Sequence, residues 1–239
     1  MMEVIGSRAI SYDVRFVGTG DPIEEEDKVE FRLLYEGELL PSAGSNKRAH
    51  EKHLIRKSFH PQLRRLWKIN QNLARLAEKE YLSGISIDRI HDELPNEGDV
   101  RDRGVAAIGR RWARAGFNIV PLVTADMALR CSIHITLLRP EEARLIFRSG
   151  DIDGQLKTLF DALRMPNSTA ETCNIRPEED ENPLFCLLED DRLVSEVTVT
   201  TDVMLLLPNT REVKANDAHA IIHVKLNHKN ARTFDNYFG

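Results

Sequence analysis

Apolar and polar residues alternate at Val29, Phe31 and Leu33 in VEFRLLYEGELLP, which predicts a strand ending by Pro41. SAGSNK (42–47) then has the composition of a loop. From about Pro61, the residues Leu63, Leu66, Trp67, Ile69, Leu73, Leu76 and Ala77 recur at near-helical spacing. Pro61 suits the first turn of such a helix, where its missing N–H is not needed. A loop region with a short helical piece is expected over 83–100, followed by a basic helix within RDRGVAAIGRRWARAGF (101–117) that stops near Gly116. LRCSIHITLLRP (129–140) alternates at Leu129, Cys131, Ile133, Ile135 and Leu137, the pattern of a half-buried strand.

Within GDIDGQLKTLFDALRM (150–165), Leu156, Leu159, Phe160 and Leu163 form one apolar helical stripe. Asp153, Lys157 and Asp161, four apart, share a neighbouring polar face. The segment 166–182 is turn-rich and acidic, so a long loop is expected there. PLFCLLEDDRLVSEVTVTTDVML then gives an apolar stretch, a charged break and an alternating strand, and AHAIIHVKLNH (218–228) gives a last strand. The order strand, helix, helix, strand, helix, strand, strand predicts an α/β fold, a mixed β-sheet packed with helices. Composition shifts too little for a domain cut, so 28–228 is expected to be a single domain. It lies between an N-terminal extension (1–27) and a polar C-terminal tail (229–239).

Composition changes this picture little. The chain has 239 residues, 41% hydrophobic and 30% charged, the profile of an ordinary globular protein. No apolar run approaches the roughly 20 residues needed to span a bilayer, so no membrane partner is expected. The first residues lack the basic start, apolar centre and cleavage site of a signal peptide, and a cytoplasmic location is expected. Cys131, Cys173 and Cys186 are far apart and suit neither zinc nor a disulfide framework, so buried or free thiols are expected.

Charge distribution is more telling than the net value of −5, which on its own points away from nucleic acid. From Lys47 to Lys68 there are eight Lys or Arg against one acid, Glu51. Lys47, Arg48, Lys52, Arg56, Lys57, Arg64 and Arg65 are the candidate contacts to DNA phosphates. Arg101, Arg103, Arg110, Arg111 and Arg114 form a second basic group, either solvated or in contact. Trp67 and Trp112 fall at helical apolar positions and are expected in the core.

Asp151 and Asp153 flank a single residue. An N-cap accounts for Asp153, because a side-chain oxygen and a negative charge are both stabilised at a helix start. It accounts poorly for Asp151. Neighbouring carboxylates persist where a cation offsets their repulsion. Glu189-Asp190-Asp191 adds a second acidic cluster, which by itself has the character of a solvated turn. Carboxylates without His or Cys suit hard cations such as Mg²⁺ or Mn²⁺. With Lys157 one helical turn from Asp153, such a site fits metal-assisted phosphodiester hydrolysis. A small-molecule phosphohydrolase would use the same carboxylates but would leave the basic 47–68 stretch without a purpose.

SGDIDGQLKTLFDAL and LLEDDRLVSEVTV together resemble the RusA family of Holliday junction resolvases, marked by D-x-D-N-x-x-K-x-x-x-D-x-L and a downstream D-D before a strand. The matching positions are Asp151, Asp153, Lys157, Asp161, Leu163, Asp190 and Asp191. The resemblance covers about 28–228, most specifically in this core motif. It implies a RusA-like fold and a homodimeric, Mg²⁺-dependent endonuclease that nicks branched DNA symmetrically, with Mn²⁺ able to substitute. Asp151, Asp153 and Asp191 would hold the metal, Lys157 would assist at the scissile phosphate, and Asp190 and Asp161 would support them. The chain departs from the family in carrying Gly154 for Asn, a long loop at about 164–183 and an insertion at about 83–128. A non-catalytic DNA-binding or scaffold protein on the same fold is the alternative.

Overall fold

The computed structural model describes residues 29–43, 45–83, 97–140, 152–205 and 214–228. The N-terminal extension, the C-terminal tail and Asp151 lie outside the described residues.

Three strands form the body of the larger sheet: β1 (Glu30–Glu38), β3 (Leu129–Arg139) and β6 (Asp217–His228). The chain passes from β1 into α1 (Ala49–Ile69), α2 (Gln71–Ser83), α3 (Glu97–Arg111) and β2 (Ile119–Val123) before β3. After β3 come α4 (Ile152–Leu163), β4 (Leu184–Leu188) and β5 (Val194–Val203). The four-stranded sheet has the order β1-β6-β3-β5, with β6 antiparallel to both neighbours and β3 parallel to β5. The architecture is α/β with a mixed sheet. Its alternation buries Phe31, Leu33, Ile133, Ile135, Ile222 and Val224 on one face and leaves Arg32 and His134 exposed on the other.

The mixed sheet is not the only one. β2 and β4 pair in parallel as a separate two-stranded sheet. Their sequences, IVPLV and LFCLL, are buried at every position, so neither shows the alternation that marks a half-buried strand. The basic helix expected over 101–117 is α3, which ends at Arg111. The Ala115-Gly116 turn, with φ of 54° and 84°, reverses the chain ahead of β2.

The largest difference from the sequence reading is α1. It begins at Ala49, twelve residues before the expected start, and Pro61 lies inside it on an exposed face. Its buried positions are Ala49, His53, Ile55, Arg56, Phe59, His60, Leu63, Leu66 and Trp67. The helical period is complete, but histidine and arginine occupy inward positions and hide it. Pro61 removes one backbone donor, and tertiary packing outweighs that cost. The expected single helix also splits at Asn70. Its N–H bonds Leu66 O at 2.9 Å, and its Oδ1 accepts from Leu73 N at 3.1 Å, so one residue closes α1 and caps α2.

α1 packs against β1, β4 and α4, while α2 packs on α3. Cys131 and Cys186 are buried and Cys173 is half-buried, all three as free thiols; Trp67 is in the core and Trp112 packs against it. Among the described residues no helix is long and apolar enough to cross a membrane.

Candidate active site

α4 is fixed first at its beginning. Ser42 N–H donates to Gly154 O at 2.8 Å, and the buried Gln155 amide donates through Nε2 to Leu39 O at 2.9 Å. Glycine at 154 permits this approach, since a Cβ there would stand 3.0 Å from Pro41 Cβ and 3.3 Å from Ser42 N. The inward side of the helix buries Gln155, Thr158, Leu159, Ala162 and Leu163. Its outward stripe of Asp153, Lys157 and Asp161 lines a cavity of about 500 Å³ shared with Lys52, Arg56 and Arg164. Asp153 sits in the first helical turn, after Ile152, and not at the cap position expected of it.

The charges in this cavity divide into a half-buried set and an exposed set. Asp161 accepts from Lys52 Nζ at 2.6 Å and Arg164 Nη2 at 3.2 Å, and Arg164 also meets Glu171 at 3.1 Å. These four side chains are largely occupied with one another. Asp153 and Lys157 are the exposed acid and base of the stripe.

Arg56 is a correction to the expected DNA contacts. It is 1% exposed, and its guanidinium donates to Asp161 O at 2.8 Å and Arg164 O at 3.2 Å. It thereby satisfies carbonyls at the C-terminal end of α4, where the helix dipole also favours a cation. Arg56→Met is expected to lower stability by about 3 kcal/mol, measured as a shift in the urea midpoint, because it leaves the carbonyls of Asp161 and Arg164 without their charged donor.

The remaining basic candidates differ among themselves. Lys47, Arg64 and Arg65 are exposed. Arg48 pairs with Glu51 at 3.2 Å, Lys52 with Asp161, and Lys57 with Glu178 at 2.8 Å and Glu181 at 3.1 Å. In the second basic group Arg101 meets Glu78, and Arg111 meets Glu80 and Asp126.

Asp191 is carried by a different element from Asp153. Asp191 opens a single 3-10 turn, Asp191–Leu193, that leads into β5, where Val194 pairs with Cys131 near the start of β3. The Leu39–Ser42 segment that braces Asp153's turn follows Glu38, at the sheet end where Leu138 pairs with His219. From Cys131 to Leu138 the strand runs roughly 23 Å. The other end of α4, at Arg164, is the one that pairs with Leu188. Asp190 holds Arg192 through both carboxylate oxygens, at 2.7 and 3.1 Å, and this pairing depresses its pKa to about 2. Glu189 accepts from Ala125 N at 2.8 Å. The acidic cluster 189–191 is thus a turn fastened by local bonds. Among the described residues, no three His, Cys, Asp or Glu come together as metal ligands.

Sequence reasoning missed the polar core behind the cavity. His53 and Glu181 are 3% and 1% exposed in their side chains and stand 3.8 Å apart. His60 accepts from Phe185 N at Nδ1 (2.9 Å), so its Nε2 carries the proton donated to Asp180 O (2.8 Å). Burial, with Arg56 nearby, pushes the His53 pKa down to about 4, and burial lowers that of His60 as well. A histidine whose folded pKa lies below its unfolded value takes up its proton more readily when unfolded. Its contribution is complete above about pH 6.5 and lost as pH falls toward 4, amounting to about 3 kcal/mol for His53. Urea unfolding at pH 7 and pH 5 should show a larger loss for the native chain than for His53→Asn; equal losses would remove His53 from the acid response.

No protein-family model, curated protein or solved structure matches the chain.

Proposed function

We propose that the protein is a divalent-cation-dependent endonuclease acting on branched DNA, of the kind the RusA-like motif implies. One observation carries the reading: Asp153 and Lys157, one turn apart on α4, line the same cavity as the cations of α1. A carboxylate and an ammonium so placed can serve the two needs of phosphodiester hydrolysis, a cation ligand and neutralisation of charge in the transition state. Mg²⁺ is held in many sites by one or two carboxylates together with water and substrate phosphates. Asp153 suits that donor set, with Asp151 as the partner the motif supplies. The bound cation would polarise the phosphate and lower the pKa of water.

Asp191 is not part of this proposal. Gly154 replaces the family's Asn, and a Cβ there would press on Pro41 and Ser42 unless that segment gave by a few tenths of an ångström. A two-fold homodimer suits the reading, because two equivalent strands of a four-way junction need two equivalent sites.

The second reading, a non-catalytic DNA-binding protein, is favoured by Gly154, which stands where the family carries Asn and lies close against Pro41 and Ser42. One experiment separates the two: labelled four-way, flapped and duplex DNA incubated with the purified chain in Mg²⁺, Mn²⁺ or chelator. Cutting that needs the metal supports the nuclease. Retarded but uncut DNA under every condition selects the second reading.

A further inference from the structure

The exposed face of α1 that carries its DNA-contact candidates is met by an acidic counterpart from elsewhere in the chain. Lys57, Pro61, Arg64, Arg65 and Lys68 follow one another at spacings of 4, 3, 1 and 3, so they form one ridge along the helix. Against it lies the turn Glu178-Glu179-Asp180-Glu181, and the two enclose a groove of about 420 Å³ lined by Lys57, Arg64, Arg65, Lys68 and Asp180. Arg64 and Lys68 also face Glu178 and Glu179 across a second cleft.

The turn is anchored from beneath. Glu181 is buried and bonds Glu178 N through Oε2 at 2.8 Å, completing a capping box. His60 donates to Asp180 O from below. The side chains of Glu178, Glu179 and Asp180 remain exposed. Carboxylates are therefore held at a fixed place beside a row of cations, and Lys57 is already ion-paired with two of them.

We infer that this acidic turn is a built-in stand-in for phosphate, which screens the α1 ridge and must be outcompeted by the nucleic-acid backbone. The inference rests on the DNA-binding reading above. A phosphate backbone laid along Arg64, Arg65 and Lys68 meets attraction from the ridge and repulsion from the turn. Contact is then selective for DNA that engages other parts of the protein as well.

The test uses the full chain with fluorescently labelled four-way and duplex DNA in Mg²⁺-free buffer, titrated across a range of NaCl. The triple variant Glu178→Gln, Glu179→Gln, Asp180→Asn leaves the buried Glu181 in place. It is expected to bind about tenfold tighter at low salt, with a log–log salt slope steeper by about 1 to 2 as cations are freed to contact phosphate. Glu179→Lys, a single exposed change, should act in the same direction, and Arg64→Ala with Lys68→Ala in the opposite one. If the native chain binds DNA and both acid variants match it in affinity and slope, the turn has no screening role and the DNA reading stands. If neither the native chain nor any variant binds, both fall. Binding gained only when the acids are neutralised supports the inference in its strongest form.

Discussion

Asp153→Asn is expected to bind four-way DNA as tightly as the native chain and to cut it at least about a hundredfold more slowly, the scale of loss when a group stabilising the transition state is removed. The substitution keeps the shape of the side chain and removes its charge. Asp153 is exposed in the first turn of α4, where the interaction of its charge with the helix N-terminus is worth about 0.3–1 kcal/mol. Single-turnover cleavage in Mg²⁺, run beside anisotropy and thermal melting, separates the three quantities. A variant that still cuts within a few-fold of the native rate would take Asp153 out of the reaction.

Gly104→Ala is expected to cost about 3 kcal/mol or more in stability. A Cβ at this position would stand 1.8 Å from Ala77 O and 2.5 Å from Ala77 C, both backbone atoms of the facing helix α2. Alanine is favoured over glycine in a helix by about 1 kcal/mol, so propensity alone predicts a gain. The clash reverses that sign, because two helices must separate and a packed contact does not yield by more than fractions of an ångström. Gly98→Ala in the same helix is the matched comparison, since nothing lies within 4 Å of its Cβ. Thermal melts should place the two substitutions on opposite sides of the native chain, or Gly98→Ala level with it. Equal melts for Gly104→Ala and the native chain would mean that α2 and α3 do not approach so closely.

What could be read from sequence was whatever kept a simple period. The strands at 129–139 and 217–228 alternate in sequence, and of the expected stripe on α4 Leu159 and Leu163 are buried while Leu156 and Phe160 are half-buried against the core. α1 was legible only in its second half. Arg56, His53 and His60 point into the core, where hydrogen bonds make up for the polarity of Arg56 and His60, and a hydropathy pattern cannot anticipate a partner about 105 residues away such as Asp161. β2 and β4 carry no alternation because both faces are covered.

The candidate site divides in the same way. Asp153, Lys157 and Asp161 share a helix face because periodicity alone places them there. Asp191 depends on the route of the chain through 166–183, and no local pattern specifies at which end of α4 that route returns.

α4 is gripped at both ends, by Ser42 on Gly154 and by the Arg56 guanidinium on the carbonyls of Asp161 and Arg164. A rod clamped twice has little freedom to tilt or slide. Any adjustment to a ligand at Asp153 therefore falls to side-chain rotation of Asp153 and Lys157, and the distance between their backbone positions is set before anything arrives. Such rigidity favours a reaction whose geometry is prearranged over one that depends on closure around its ligand.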